Sequence, residues 1–144
     1  MSAQLELVLQ LREKAEKEAR ENMQRVESQR DALKNQILQL EEFVRDYQRQ
    51  FSDPNTITSM QKRFLLMIYV EQIQTAIAGH QSKLESYELS VDQLRQIWLE
   101  TRQQKLGFER LLEKRQQESR QYQEKMEQKQ LDDFVSTRQY HTTS

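Results

Sequence analysis

The sequence predicts an all-α fold, a long antiparallel two-helix coiled-coil hairpin with a C-terminal helical overhang. Three observations lead there. Between residues 66 and 98, Leu66, Val70, Ile73, Ile77, His80, Leu84, Tyr87, Val91, Leu94 and Trp98 recur at alternating steps of four and three. That heptad spacing keeps one stripe of a helix against a partner helix. Two Gly and one Pro in 144 residues remove most of the turn chemistry that sheets require. The only cluster of breakers and capping residues, Ser52-Asp53-Pro54-Asn55-Thr56, divides the chain into a shorter and a longer segment.

Composition narrows the function classes. With 35% hydrophobic and 31% charged residues, the chain suits a thin helical architecture better than a thick globular core. Its 22 basic and 23 acidic residues are interleaved and leave a net charge of −1, which argues against nucleic acid as a partner. The absence of Cys excludes disulfides and thiolate chemistry and fits a reducing cytosol. The apolar run in MSAQLELVLQL is too short, and too soon acidic, for a secretory signal.

The first helix is expected over about residues 3–51. Its inward stripe reads Val8, Leu11, Ala15, Ala19, Met23, Val26, Arg30, Leu33, Ile37, Leu40, Val44, Tyr47 and Phe51. Three consecutive steps of four between Leu11 and Met23 should locally relax or reverse the left-handed supercoil. Acid-first i,i+4 pairs such as Glu13 with Lys17 and Glu16 with Arg20 mark the solvated faces. A turn follows over about residues 52–57, then a second helix over about 58–135. That helix is capped either by Asp53 with Pro54 in its first turn or, the favoured choice, by Thr58 with Gln61 three residues on. Residues 138–144 are expected to be a disordered tail.

A hairpin centred on Asn55 makes facing positions sum to about 110. Val44 then meets Leu66, Leu40 meets Val70, Ile37 meets Ile73, Leu33 meets Ile77 and Leu11 meets Trp98. Arg30 and His80 form one polar layer. Past Lys105 the second helix runs out of partner, leaving Phe108, Leu111, Leu112, Tyr122, Met126, Leu131 and Phe134 for another protein. At the other end, RFLLMIYV (residues 63–70) is apolar all round the helix, yet Glu71 ends it far short of the ~20 residues that span a bilayer. Three things could cover that excess: a partner, a membrane interface, or the tip itself packing around Tyr47, Phe51 and Met60. Tyr69, Ile73, Ala76 and His80 make one i, i+4, i+7, i+11 line suited to docking.

No motif carries catalysis or a cofactor. The two histidines, His80 and His141, lack triad or metal spacing, and adjacent Asp132 and Asp133 diverge on a helix.

Five segments carry a family resemblance: LREKAEKEAR (residues 11–20), AIAGH (76–80), Trp98, LLEKRQQE (111–118) and EQKQLDDF (127–134). Over nearly the whole chain they resemble the flagellar FliJ family. The resemblance implies a non-enzymatic coiled-coil hairpin similar to the central stalk of rotary ATPases. It also implies a cytoplasmic component of type III export, peripheral at the membrane through partners: the hexameric export ATPase FliI, the export gate FlhA and export chaperones. By position it assigns the gate contact to Tyr69 and Ile73, continued by Ala76 and His80. Tyr69 stands where the family has Phe. The ends of the hairpin would enter the ring, so Leu111, Leu112, Tyr122, Met126 and Phe134 become the candidate ATPase-binding residues. The stalk of a virulence secretion system and a general coiled-coil scaffold are the alternatives.

Overall fold

The computed structural model describes the backbone of residues 2–53 and 59–143, with side chains described over 3–53 and 59–139. Two helices account for almost all of it, α1 (Ser2–Ser52) and α2 (Met60–Thr143), packed as a helical hairpin. Among the described residues there is no strand. Most of the expected turn falls in residues 54–58 and lies outside the described residues, as does Thr58.

The helix ends follow from local chemistry. At the close of α1, the Ser52 hydroxyl donates to the Gln48 carbonyl at 3.1 Å, and the Asp53 amide tightens the last turn by donating to Gln50 O. The observed cap of α2 is Ser59, one residue beyond the favoured Thr58. Its Oγ accepts the Lys62 amide at 3.3 Å, while its carbonyl accepts Arg63 N–H as the first turn closes. At the far end α2 runs to Thr143, past the expected stop near Val135, and residues 138–143 continue the helix instead of forming a loose tail. No Gly or Pro interrupts that stretch, and Thr137 returns its hydroxyl to the Asp133 carbonyl at 2.8 Å, so its polar group does not compete with the helix.

The chain divides into two compact units. In the unit Lys17–Glu100, the seam follows the heptad pattern. Ala19, Met23, Leu33, Ile37, Val44, Val70 and Val91 are buried, Val91 completely, and the remaining stripe positions of both helices are half-buried. Partial burial of most stripe residues is what a two-stranded coil allows, because each knob sits in a hole open to water on two flanks.

The register differs from the one centred on Asn55. Tyr47 packs on Tyr69, a pair summing to 116, and the flanking ion pairs Lys34–Glu88 and Glu27–Arg95 each sum to 122. Seam layers that reconcile these pairs sum to about 117, one heptad from the expected 110, a relative slide of ~10 Å. A slide of seven residues returns every apolar position to an apolar position, so the stripe alone does not choose. The flanks do. In the expected register Glu27 would move from Arg95 to the neighbourhood of Glu88, and Lys34 would lose its carboxylate. Arg30 and His80 also part company: the Arg30 guanidinium turns to Asp31 on its own helix at 3.2 Å, and His80 comes level with Ile37.

In the unit Met1–Glu16 with Thr101–Ser144, the inward face of α1 also changes. Leu5 and Leu9 are half-buried and Glu16 is buried, whereas Val8, Leu11 and Ala15 are exposed, Leu11 by 58%. Three four-residue steps carry a stripe ~120° around a straight helix, which takes Leu11 off the contact face. The heptad phase of Met23 continues instead through Glu16, Leu9 and Leu5. Glu16 Oε2 lies 3.9 Å from Lys105 Nζ, and Arg12 donates to Gln104 Oε1 at 2.7 Å. Leu5 and Leu9 come level with Leu112 and Phe108, both half-buried. Contact with α1 thus extends to Leu112, one heptad beyond Lys105, and every described residue from 113 to 139 is exposed.

The register is open to a direct test. Cys introduced at Leu40 and Ile77 should be joined by a short thiol crosslinker within one chain faster than Cys at Leu40 and Val70. Preferential closure of the Leu40/Val70 pair would restore the register centred on Asn55.

Candidate partner-docking surfaces

The tip of the unit Lys17–Glu100 is built by the register. Ser52, the last residue of α1, comes level with Leu65, so the first turns of α2 project past α1. Their apolar side chains are bare: Met60 is 90% exposed, and Phe64 and Leu65 about two-thirds. Self-packing of the tip therefore covers Tyr47 and Phe51, which are half-buried, but not Met60.

The Tyr69 line straddles the seam edge. Tyr69 is 52% exposed, with its ring edge-to-face against Tyr47 at 5.5 Å between centroids and 74° between planes. Ala76 is exposed, while Ile73 and His80 are half-buried in the seam. The four residues accordingly divide into two accessible ones and two whose loss would also loosen the coil. Phe43, 54% exposed, was not among the residues read from the sequence. It occupies the α1 position just before a seam residue, Val44, as Tyr69 does before Val70. In an antiparallel pair such positions share a flank, so Phe43, Tyr47 and Tyr69 present one aromatic edge. Heptad phase applied to both helices would have found it.

The candidate ATPase-binding residues also divide. Leu112 is half-buried beside the α1 end, whereas Leu111, Tyr122, Met126 and Phe134 are exposed, joined by Leu131 and Val135. At helical spacing Leu111, Tyr122 and Met126 continue the face of Phe108 and Leu112. Phe134 has drifted off it and clusters with Leu131 and Val135.

Among the described residues no group of three or more His, Asp or Glu could hold a metal ion, and no described helix is long and apolar enough to cross a membrane.

Comparison with known proteins decides the lineage. The family model described as Flagellar FliJ protein matches residues 1–143. This chain is a member of the flagellar FliJ family. It is accordingly a component of the flagellar protein-export apparatus, a role in which the FliJ family is non-enzymatic. No curated protein gives a significant match, and neither does any solved structure.

Within this FliJ chain, Gly79 adjoins the docking line, and a Cβ built on it meets nothing within 4 Å; the same holds at Gly107. Neither glycine has a positive φ. Gly79→Ala should therefore stabilise α2 by about 0.5–1 kcal/mol through helix propensity alone. A thermal melt showing destabilisation would reveal a packing demand at this turn.

Proposed function

We propose that this FliJ-family chain is a non-enzymatic stalk and adaptor that links the export ATPase FliI to the export gate FlhA and serves export chaperones. In this reading it lies in the cytoplasm and is held at the inner face of the membrane through its partners. The observation that carries it is where the bare apolar side chains sit. They concentrate on α2 at residues 60–69, whose first turn projects past α1 and whose outer face α1 leaves bare, and again past Leu112, where every residue to 139 is exposed. A hairpin needing only its own stability would have no use for either. Large exposed apolar clusters mark interaction sites.

The assignment of partners follows the family resemblance. The Tyr69 flank, with Tyr47 and Phe43 beside it and Ala76 one step on, supplies the gate contact. Ile73 and His80 act there from within the seam. The face bearing Leu111, Tyr122 and Met126, with Phe134 further along and Leu112 at its root, supplies the ATPase contact. An interleaved charge pattern around both keeps α2 soluble between its apolar patches.

Paired binding measurements test the assignment. Truncating a central aromatic anchor typically costs at least ~2 kcal/mol, about thirtyfold in affinity. Tyr69→Ala should weaken binding to the gate's cytoplasmic domain by that factor with circular dichroism unchanged. Ile73→Ala should lower both gate affinity and melting temperature. ATPase association should survive both changes and should weaken when the chain is cut after Glu118, which keeps every α2 residue that packs on α1. Normal gate affinity in a folded Tyr69→Ala protein, or undiminished ATPase association of the truncated chain, would contradict the assignment.

A further inference from the structure

The projecting start of α2 differs from both proposed contacts in the directions its side chains point. At 100° per residue, Met60, Phe64 and Met67 lie on one side of the helix, Ile68 on its back and Leu65 on the other side. All five are exposed, from 38% at Ile68 to 90% at Met60. Together they span an arc of about 160° centred opposite the seam. A protein groove that takes a helix reads a single stripe at i, i+3, i+4 and i+7, about 100° wide, and would leave an edge of this broader face in water. A lipid interface receives the whole of such a face when the helix lies against it.

Charge at the tip is consistent with such a surface. Residues 45–53 and 59–72 carry four cations, Arg45, Arg49, Lys62 and Arg63, against three carboxylates, Asp46, Asp53 and Glu71. Arg49 approaches Asp46 at 3.7 Å, and at the start of α2 Lys62 and Arg63 flank the apolar face, one beyond either edge. Basic side chains next to an apolar face are the arrangement that holds a segment at an anionic headgroup layer, with its apolar part ~5–10 Å deep.

We propose that the tip of the hairpin binds an anionic lipid bilayer directly, inserting Met60, Phe64, Leu65 and Ile68 at the acyl boundary with Lys62 and Arg63 at the headgroups. The inference goes beyond a membrane position held through partners. The lipid contact lies on residues separate from the Tyr69 flank, so either can fail without the other.

The experiment is co-sedimentation of the full chain with protein-free vesicles, either phosphatidylcholine alone or phosphatidylcholine with about one-third phosphatidylserine. The chain should pellet with the anionic vesicles and bind them about tenfold more weakly in high salt or without phosphatidylserine. Phe64→Glu with Leu65→Glu should lose at least about tenfold in vesicle binding with helicity kept. Leu38→Glu with Leu89→Glu, exposed apolar residues outside every proposed contact, should bind as the unaltered chain does. If the charged pair reduces helicity, Phe64→Gln with Leu65→Gln gives the same reading. The proposal is overturned if the chain stays in the supernatant, or if the tip variant pellets like the unaltered chain. It is equally overturned if only vesicles carrying the export gate bind, or if sedimentation shows that the same residues join two copies of the chain.

Discussion

The structure depends on a choice that the hydrophobic seam cannot make alone. A heptad stripe is periodic, so two helices that carry one each can pair in several registers spaced seven residues apart, all with apolar residues in contact. In this chain, charges on one flank select among them: Glu27 with Arg95 and Lys34 with Glu88 at 3.2 and 3.8 Å. Each exposed pair contributes little to stability, up to ~1 kcal/mol. Their effect on register is larger than their effect on stability, because a slide of one heptad sets Glu27 near Glu88 instead. The ~10 Å between the two registers decides how much of α2 is left bare at either end.

Glu16 is the one described residue that is both charged and buried. It occupies a seam position where the apolar stripe of α1 would otherwise continue, and Lys105 answers it from α2 at 3.9 Å. Partnered charges in a coil are better understood as devices that specify alignment than as sources of stability, since desolvation offsets most of their attraction. In the register centred on Asn55 the Glu16 carboxylate would lie near Trp98 instead of an ammonium group. That penalty reinforces the choice made by the flanking pairs. It also explains why Leu5 and Leu9, rather than Leu11 and Ala15, close the α1 end.

Much of this was legible in the residues themselves. The all-α class, the hairpin and the stripe from Ala19 to Phe51 and from Leu66 to Trp98 followed from spacing and from the scarcity of Gly and Pro, and each of those stripe positions is buried or half-buried. Register was not legible from the apolar pattern, for the periodic reason above. It could have been approached by asking which slide keeps Glu27 and Lys34 beside opposite charges. The N-terminal stripe failed because three four-residue steps were read as a bent seam, whereas the helix stayed in phase and turned Leu11 outward. The candidate docking line was found by spacing, and the same spacing placed Ile73 and His80 in the seam, where both are half-buried. Phe43 was missed because only one helix was searched for a docking face.

The uncovered parts of α2 are a consequence of register, and amide hydrogen exchange read along α2 tests that connection most directly. Amides of a helix without tertiary packing open locally and exchange early, whereas those under a packed seam exchange late. The account predicts slow exchange from about residue 66 to Leu112, with fast exchange before it at the tip and from residue 113 onward. A boundary near Lys105 would support the register centred on Asn55. Slow exchange continuing through residue 139 in the isolated chain would contradict the account, because the C-terminal part of α2 would then already have a partner.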